Sequence, residues 1–159
     1  IIQDTVGIRN RYFPKAKIAV LSNSSLIHKR KIFNALKQVD QNILKVDSAF
    51  ESTVNLINKP YKGFDFQRMI DHLKYFKGRL IIQTMFIRGK YDNQPFDNTS
   101  EEELSAWLDL IRQINPEQVM IYTIARDTPS EGVEAISRQK LEEIAGKVEE
   151  LGIDTQISN

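Results

Sequence analysis

Four short apolar runs separated by longer amphipathic stretches restrict the folds open to this chain more than any other feature of it. Strand-length apolar segments alternating with segments of helical period are the pattern of βα units around a parallel sheet, which predicts an α/β fold. The runs are Lys17–Leu21, Ile43–Asp47, Leu80–Ile87 and Val119–Ala125. After the first, a helix is predicted from about Leu26 to Val39, with Ile32, Leu36 and Val39 on one face and a serine of Ser22-Asn23-Ser24-Ser25 as its N-cap. The second run leads into an irregular stretch through Asn58-Lys59-Pro60. Asp65 then opens a helix whose buried stripe is Phe66, Met69, Ile70 and Leu73. Gly78 ends that helix, and Arg88 to Asn98, rich in turn formers, reads as a polar loop above a strand's C-terminal end. Ser100 and Glu103 form a capping box for a helix carrying Leu104, Trp107, Leu108 and Ile111, broken at Asn115-Pro116. A loop from Asp127 to Glu134 precedes the last helix, capped by Ser137 and stapled by Ile136 and Leu141. Gly152 ends it, leaving Ile153–Ser158 for a closing strand.

No shift in composition divides the 159 residues, so 1–159 is read as a single domain. Its βα order suits an open doubly wound sheet or an arc of a larger (β/α) barrel, and periodicity does not choose between them. A complete eightfold barrel needs ~250 residues and is excluded by length. The balance of 22 Lys and Arg against 21 Asp and Glu offers no basic excess for unselective binding to nucleic acid or an anionic membrane. No apolar run approaches the ~20 residues of a bilayer span, so a cytoplasmic location is expected. The absence of cysteine removes thiol nucleophiles, zinc ribbons and cysteine-ligated clusters from this polypeptide. His72 has no acidic or histidine partner at ligand spacing, so no metal site is expected. The seven glycines form neither GxGxxG nor GxxxxGK. The start, Ile1-Ile2-Gln3-Asp4, reads as the interior of something longer.

Strands buried on both faces should read as continuous apolar runs, so polar residues gathered at their C-terminal ends mark where ligands bind in α/β folds. Ser22 and Asn23 end the first strand, Lys45 and Asp47 the second, Gln83 and Thr84 lie on the third, and Tyr122, Thr123 and Arg126 end the fourth. Lys45 and Asp47 are two apart and project from one face. They present a cation and an anion to an amino-acid-like group, or they pair with each other. Capping the next helix is the competing role for the serines. Only one of Gln83 and Thr84 can face a site, since neighbours on a strand point oppositely. Arg126 is an anion clamp or a solvated loop residue.

The succession Ala19-Val20-Leu21-Ser22-Asn23-Ser24, Leu44-Lys45-Val46-Asp47, Ile82-Gln83-Thr84-Met85-Phe86 and Ile121-Tyr122-Thr123-Ile124-Ala125-Arg126 resembles the later half of a radical SAM domain. Within that superfamily it is closest to the Fe–S oxidoreductases similar to glycyl-radical activating and tRNA-modifying enzymes. The resemblance implies a partial (β/α) barrel of about four to five parallel strands, with S-adenosylmethionine and a [4Fe–4S] cluster as cofactors of the parent protein. Neither the CxxxCxxC triad nor the Gly-Glu segment of that family occurs here, so neither cofactor is expected on this chain alone. Ile1 to Phe13 then matches the helix before the third barrel strand, and the chain is a fragment, inactive in isolation. By the same resemblance Ser22, Asn23, Lys45 and Asp47 contact the cofactor, while Gln83, Thr84, Tyr122 and Arg126 contact a substrate, protein or tRNA. The implied partner is the missing cluster-bearing N-terminal part, with self-association through the sheet edge it would cover. The alternative is a self-contained α/β domain that holds a small anionic ligand at its strand ends.

Overall fold

The computed structural model describes residues 1–125 and 132–158. The chain begins with α1 (Ile2–Tyr12), β1 (Ala19–Ser22), α2 (Arg30–Leu36), β2 (Gln41–Lys45), α3 (Glu51–Asn58) and α4 (Phe66–Lys74). It continues through β3 (Ile81–Met85), β4 (Ile87–Tyr91), β5 (Gln94–Asp97) and α5 (Glu101–Ile114). The last elements are β6 (Gln118–Tyr122), β7 (Val133–Ala135), α6 (Arg138–Glu149) and β8 (Asp154–Ser158). Five strands form a wholly parallel sheet in the order β1-β2-β3-β6-β8. The predicted closing strand is present as β8.

That order settles the choice periodicity left open. A doubly wound sheet reverses its strand order at a switch point, whereas here each parallel strand lies beside the next one in sequence. Right-handed crossovers in one direction put the helices between parallel strands on the same face. The sheet is an arc of a (β/α) barrel. Its core lies on the helix side, where Leu44, Ile82, Val119 and Ile121 are fully buried against Leu73, Trp107, Ile111, Ile144 and Val148. Among the described residues, the opposite face has no helical cover. Along it, register brings Ile43, Ile81 and Gln118 into one row, Lys45, Gln83 and Met120 into the next, and Met85 and Tyr122 into a third. Ile43 and Ile81 are buried, while the residues of the two upper rows are only partly so.

Three helix starts follow the sequence: Asp65 accepts from the amide of Arg68, Ser100 from Glu103 and Ser137 from Lys140. Four expectations need correction. The helix after β1 begins at Arg30 rather than Leu26 and has no side-chain cap. Instead, Ser22 Oγ and Asn23 Oδ1 accept from the amides of Ser24 and Ser25, and Ser24 takes a left-handed conformation (φ 66°). Local side-chain bonds thus compete with the first helical turn. The stretch read as irregular contains α3, a helix of eight residues. Its sequence period is too short to stand out, and it is tied down by the hydroxyl of Thr53 on Glu103. Glu103 therefore does not complete a capping box. Its carboxylate reaches across to Thr53 and to Ser48, at 2.7 Å from the Ser48 hydroxyl.

The fourth correction concerns the third strand and the loop after it. The predicted run Leu80–Ile87 is interrupted after Met85, and the residues beyond form a second, antiparallel sheet of order β5-β4-β7. The fully enclosed Asn98 side chain makes the break. Its Nδ2 donates to the carbonyls of Asp47 and Met85, and its Oδ1 accepts from the amide of Ile87, each at 2.8 Å. Asp92 and Asn93, with φ of 48° and 60°, turn β4 into β5 through a tight two-residue hairpin.

Candidate functional site

The C-terminal ends of β1 and β2, together with the end of α3 and the segment leading to α4, enclose a cleft of about 360 Å³. Asn23, Lys45 and Asp47 line it. Lys45 is held on the uncovered face by its β2 register opposite Gln83, and Asp47 follows two residues later. The Lys45 ammonium lies 3.0 Å from Asp47 Oδ2, and it donates to Asn58 Oδ1 at 3.2 Å. Asp47 is completely enclosed, its Oδ1 accepting from the amide of Met85 at 2.8 Å. The buried Oδ2 has no hydrogen bond of its own, since its contact with the ammonium is made by distance and not along a hydrogen-bond direction. The two residues therefore pair, which sequence reading offered as one alternative. The pair leaves an acceptor unfilled beside a cation with spare donors.

Tyr122 feels both charges. It is half-buried on the uncovered face opposite Met85, and burial raises its phenol above the ordinary value of 10.0. The Lys45 ammonium opposes that rise and the Asp47 carboxylate adds to it.

The remaining predicted residues take different places. Gln83 is partly exposed on the uncovered face between Lys45 and Met120. Thr84 points the other way, is fully buried, and donates to the carbonyl of Val46 at 2.7 Å. This meets the expectation that only one of the two can face a site, and it is Gln83. Ser22 and Asn23 are engaged in the turn after β1, though Asn23 still borders the cleft. Arg126 lies outside the described residues. Thr123 bridges the two sheets, donating to the carbonyl of Phe86 and accepting from the amide of Ile136.

Sequence reading missed the outer wall of the cleft. Asn58, Lys59, Tyr61 and Phe64 belong to it, and their position after a polar strand end in a βα loop was the available indication. Among the described residues, no group of three or more His, Cys, Asp or Glu could hold a metal ion, and no helix is long and apolar enough to cross a membrane. A smaller cavity of about 180 Å³ at the opposite end of the sheet is lined in part by Asn42, whose buried amide has no partner.

No family model matches the chain. It is 30% identical over 119 residues to a UPF0026 protein of Methanocaldococcus jannaschii, covering 72% of this chain and 34% of that one. It is 26% identical over 114 residues to a UPF0026 protein of Synechocystis, covering 69% and 40%. The chain also matches a protein named GTPase Obg from Brachyspira hyodysenteriae, 26% identical over 129 residues, covering 79% of this chain and 18% of that protein. It thus spans between 18% and 40% of these curated relatives. Among solved structures, a domain of the pyruvate-formate lyase-activating enzyme of Bacteroides vulgatus superposes with a TM-score of 0.66 at 8% identity, over 99% of this chain and 91% of that one. A radical SAM methyltransferase from Sphaerobacter thermophilus superposes with a TM-score of 0.64 at 13% identity, over 89% and 40%. An unbroken parallel strand order, helices on one face and these two superpositions agree: the chain has the radical SAM-like fold, as an arc of its partial (β/α) barrel.

Proposed function

We propose that this chain is the cofactor- and substrate-positioning part of a radical SAM enzyme, whose cluster-bearing segment lies elsewhere in a longer protein. The observation that carries the reading is the convergence of Lys45, Asp47 and Tyr122 at the C-terminal end of a parallel arc. The two superposed structures supply the chemical class. A chain without cysteine does not fit a [4Fe–4S] cluster, so no step of the cluster's chemistry belongs to these residues. They do fit the carboxylate of S-adenosylmethionine: Lys45 offers donors to it, and the enclosed Asp47 holds that ammonium in place. Bound beside a reduced cluster, that cofactor supplies a radical able to take a hydrogen atom from a substrate.

What this chain does is bind, orient and exclude water. Lys45 and Asp47 fix one end of the cofactor, assisted by Ser22 and Asn23 from the adjacent strand end. Gln83 and Tyr122 face the uncovered side, where a substrate would meet it, and we extend that substrate role to Arg126; Thr84, buried on the other face, supports the site only by bonding the carbonyl of Val46. The natural partner is the segment that covers β1, and the parent is a cytoplasmic oxidoreductase acting on a protein or tRNA.

Anaerobic reconstitution of the parent protein with iron and sulfide tests this. Cleavage of S-adenosylmethionine to 5′-deoxyadenosine is expected, with Lys45→Ala and Asp47→Ala each weakening cofactor binding by about tenfold or more, the loss of a charge-assisted contact. A parent that binds neither iron nor S-adenosylmethionine overturns the reading. The second reading, a self-contained α/β domain that holds a small anionic ligand at its strand ends, draws on the two lysines, Lys45 and Lys59, that line the cleft.

A further inference from the structure

We propose that Lys59, held in place by the ring of Tyr91, is the uncompensated cation of the cleft and binds an anionic group, phosphate or carboxylate, carried by the substrate. This rests on the preceding reading only in taking the cleft as the ligand site.

Charge is the first argument. Three ionised side chains line the cleft, Lys45, Asp47 and Lys59. Lys45 and Asp47 stand 3.0 Å apart and neutralise each other. Lys59 makes no ion pair among the described residues, so the cleft keeps one positive charge. An apolar ligand would leave that charge unmatched, and a cation would be repelled by it.

Placement is the second argument. A lysine on a surface loop ordinarily samples many rotamers, and ordering it for a ligand weakens binding. Here the ordering is built in. Lys59 ends α3 in a left-handed conformation (φ 43°), and its ammonium sits 3.4 Å from the centroid of the Tyr91 ring. Tyr91 is the last residue of β4 before the tight turn at Asp92 and Asn93, so its ring is carried by a paired strand rather than by a free loop. The aromatic face takes up one side of the ammonium and supplies no negative ion. The other donors of the ammonium stay available, and Asn58, whose amide oxygen is taken by Lys45, lines the same cleft. Lys59 is the binding and specificity residue by this account, and Tyr91 is the positioning residue that acts through it.

The test uses inorganic phosphate as probe, followed by amide and lysine-ammonium NMR shifts of the isotope-labelled protein. Phosphate is expected to move the resonances of Asn58 to Tyr61 and of the Tyr91 ring. Lys59→Met should weaken the interaction on the order of tenfold, and Lys59→Arg should restore most of it. Tyr91→Phe keeps a ring under the ammonium and should bind within about twofold of the parent, whereas Tyr91→Leu should lose about three- to fivefold. Preserved amide dispersion in each variant separates these effects from unfolding. Shifts confined to residues outside the cleft overturn the proposal, as do equal affinities for Tyr91→Leu and Tyr91→Phe. The readout is independent of S-adenosylmethionine cleavage, so its failure is distinguishable from failure of the radical SAM reading.

Discussion

At the scale of single residues, the candidate site gathers three side chains, Lys45, Asp47 and Tyr122, at the ends of β2 and β6 in one shared electrostatic environment. Tyr122 reports on that sharing because its phenol titrates. Burial dominates its upward displacement, Lys45 lowers it and Asp47 raises it. Asp47→Asn should therefore bring the Tyr122 pKa down, and Lys45→Met should push it further up. A pH titration of tyrosine-ring carbons by NMR checks both directions. Unchanged values in the two variants would mean that Tyr122 does not meet the pair. Lys45 and Asp47 were legible in sequence because charges two apart at a strand end have few other uses. Asn58 and Lys59 were not, because exposed polar residues in a loop look the same whether or not they border a cleft. Asn98 was invisible for a different reason: its three hydrogen bonds join segments 11 to 51 residues away, and nothing local marks an asparagine as the hub of such a network.

Elements defined by one strong periodicity followed the sequence, and those defined by contact did not. The helices opened by Asp65, Ser100 and Ser137 combine a cap with a buried stripe, so local and tertiary preferences agree. By contrast, α3 has eight residues with only Thr53 and Val54 buried, and the β4–β5 hairpin sits where turn formers suggested a loop. That hairpin is fixed by a close approach at Gly89, where a Cβ would stand 2.3 Å from the carbonyl oxygen of Gly132. Lys90 donates to the same oxygen at 3.1 Å. Gly89→Ala should force β4 away from β7 at a cost of about 1–3 kcal/mol. The measurement is amide hydrogen exchange at Lys90, expected to accelerate far more than exchange in β2 or β3, together with a urea denaturation midpoint. Protection equal to that of the parent would show that the two strands part without consequence. Because Tyr91 rides on this hairpin, the same substitution should loosen Lys59.

For the whole molecule, the consequence of a sequential parallel order is that, among the described residues, the sheet has two open edges and one uncovered face. On the β1 side, Leu21 is 63% exposed, and α1 buries none of its residues, leaving Ile8, Tyr12 and Phe13 in solvent. An unpaired strand beside an uncovered apolar helix face is a template for another βα unit. The isolated chain is therefore expected to self-associate at high concentration, and Leu21→Lys should reduce that association by placing a charge on the edge. Sedimentation velocity across a concentration series checks it, and a clean monomer for the parent chain at high concentration would refute it.

The sequence by itself determined the α/β class, the strand and helix alternation, the caps at Asp65, Ser100 and Ser137 and the placement of charged groups at strand ends, because each follows from periodicity or chemistry within a few residues. Tertiary structure alone decided that the strands lie in sequential order, that Gln83 rather than Thr84 faces outward, and that Lys45 turns to Asp47 and Asn58. It also brought Lys59 under a ring 32 positions further along. Strand order depends on the direction of each crossover, and side-chain partnership on which segments those crossovers bring together. Neither quantity has a local energetic signature that a single stretch of chain could display.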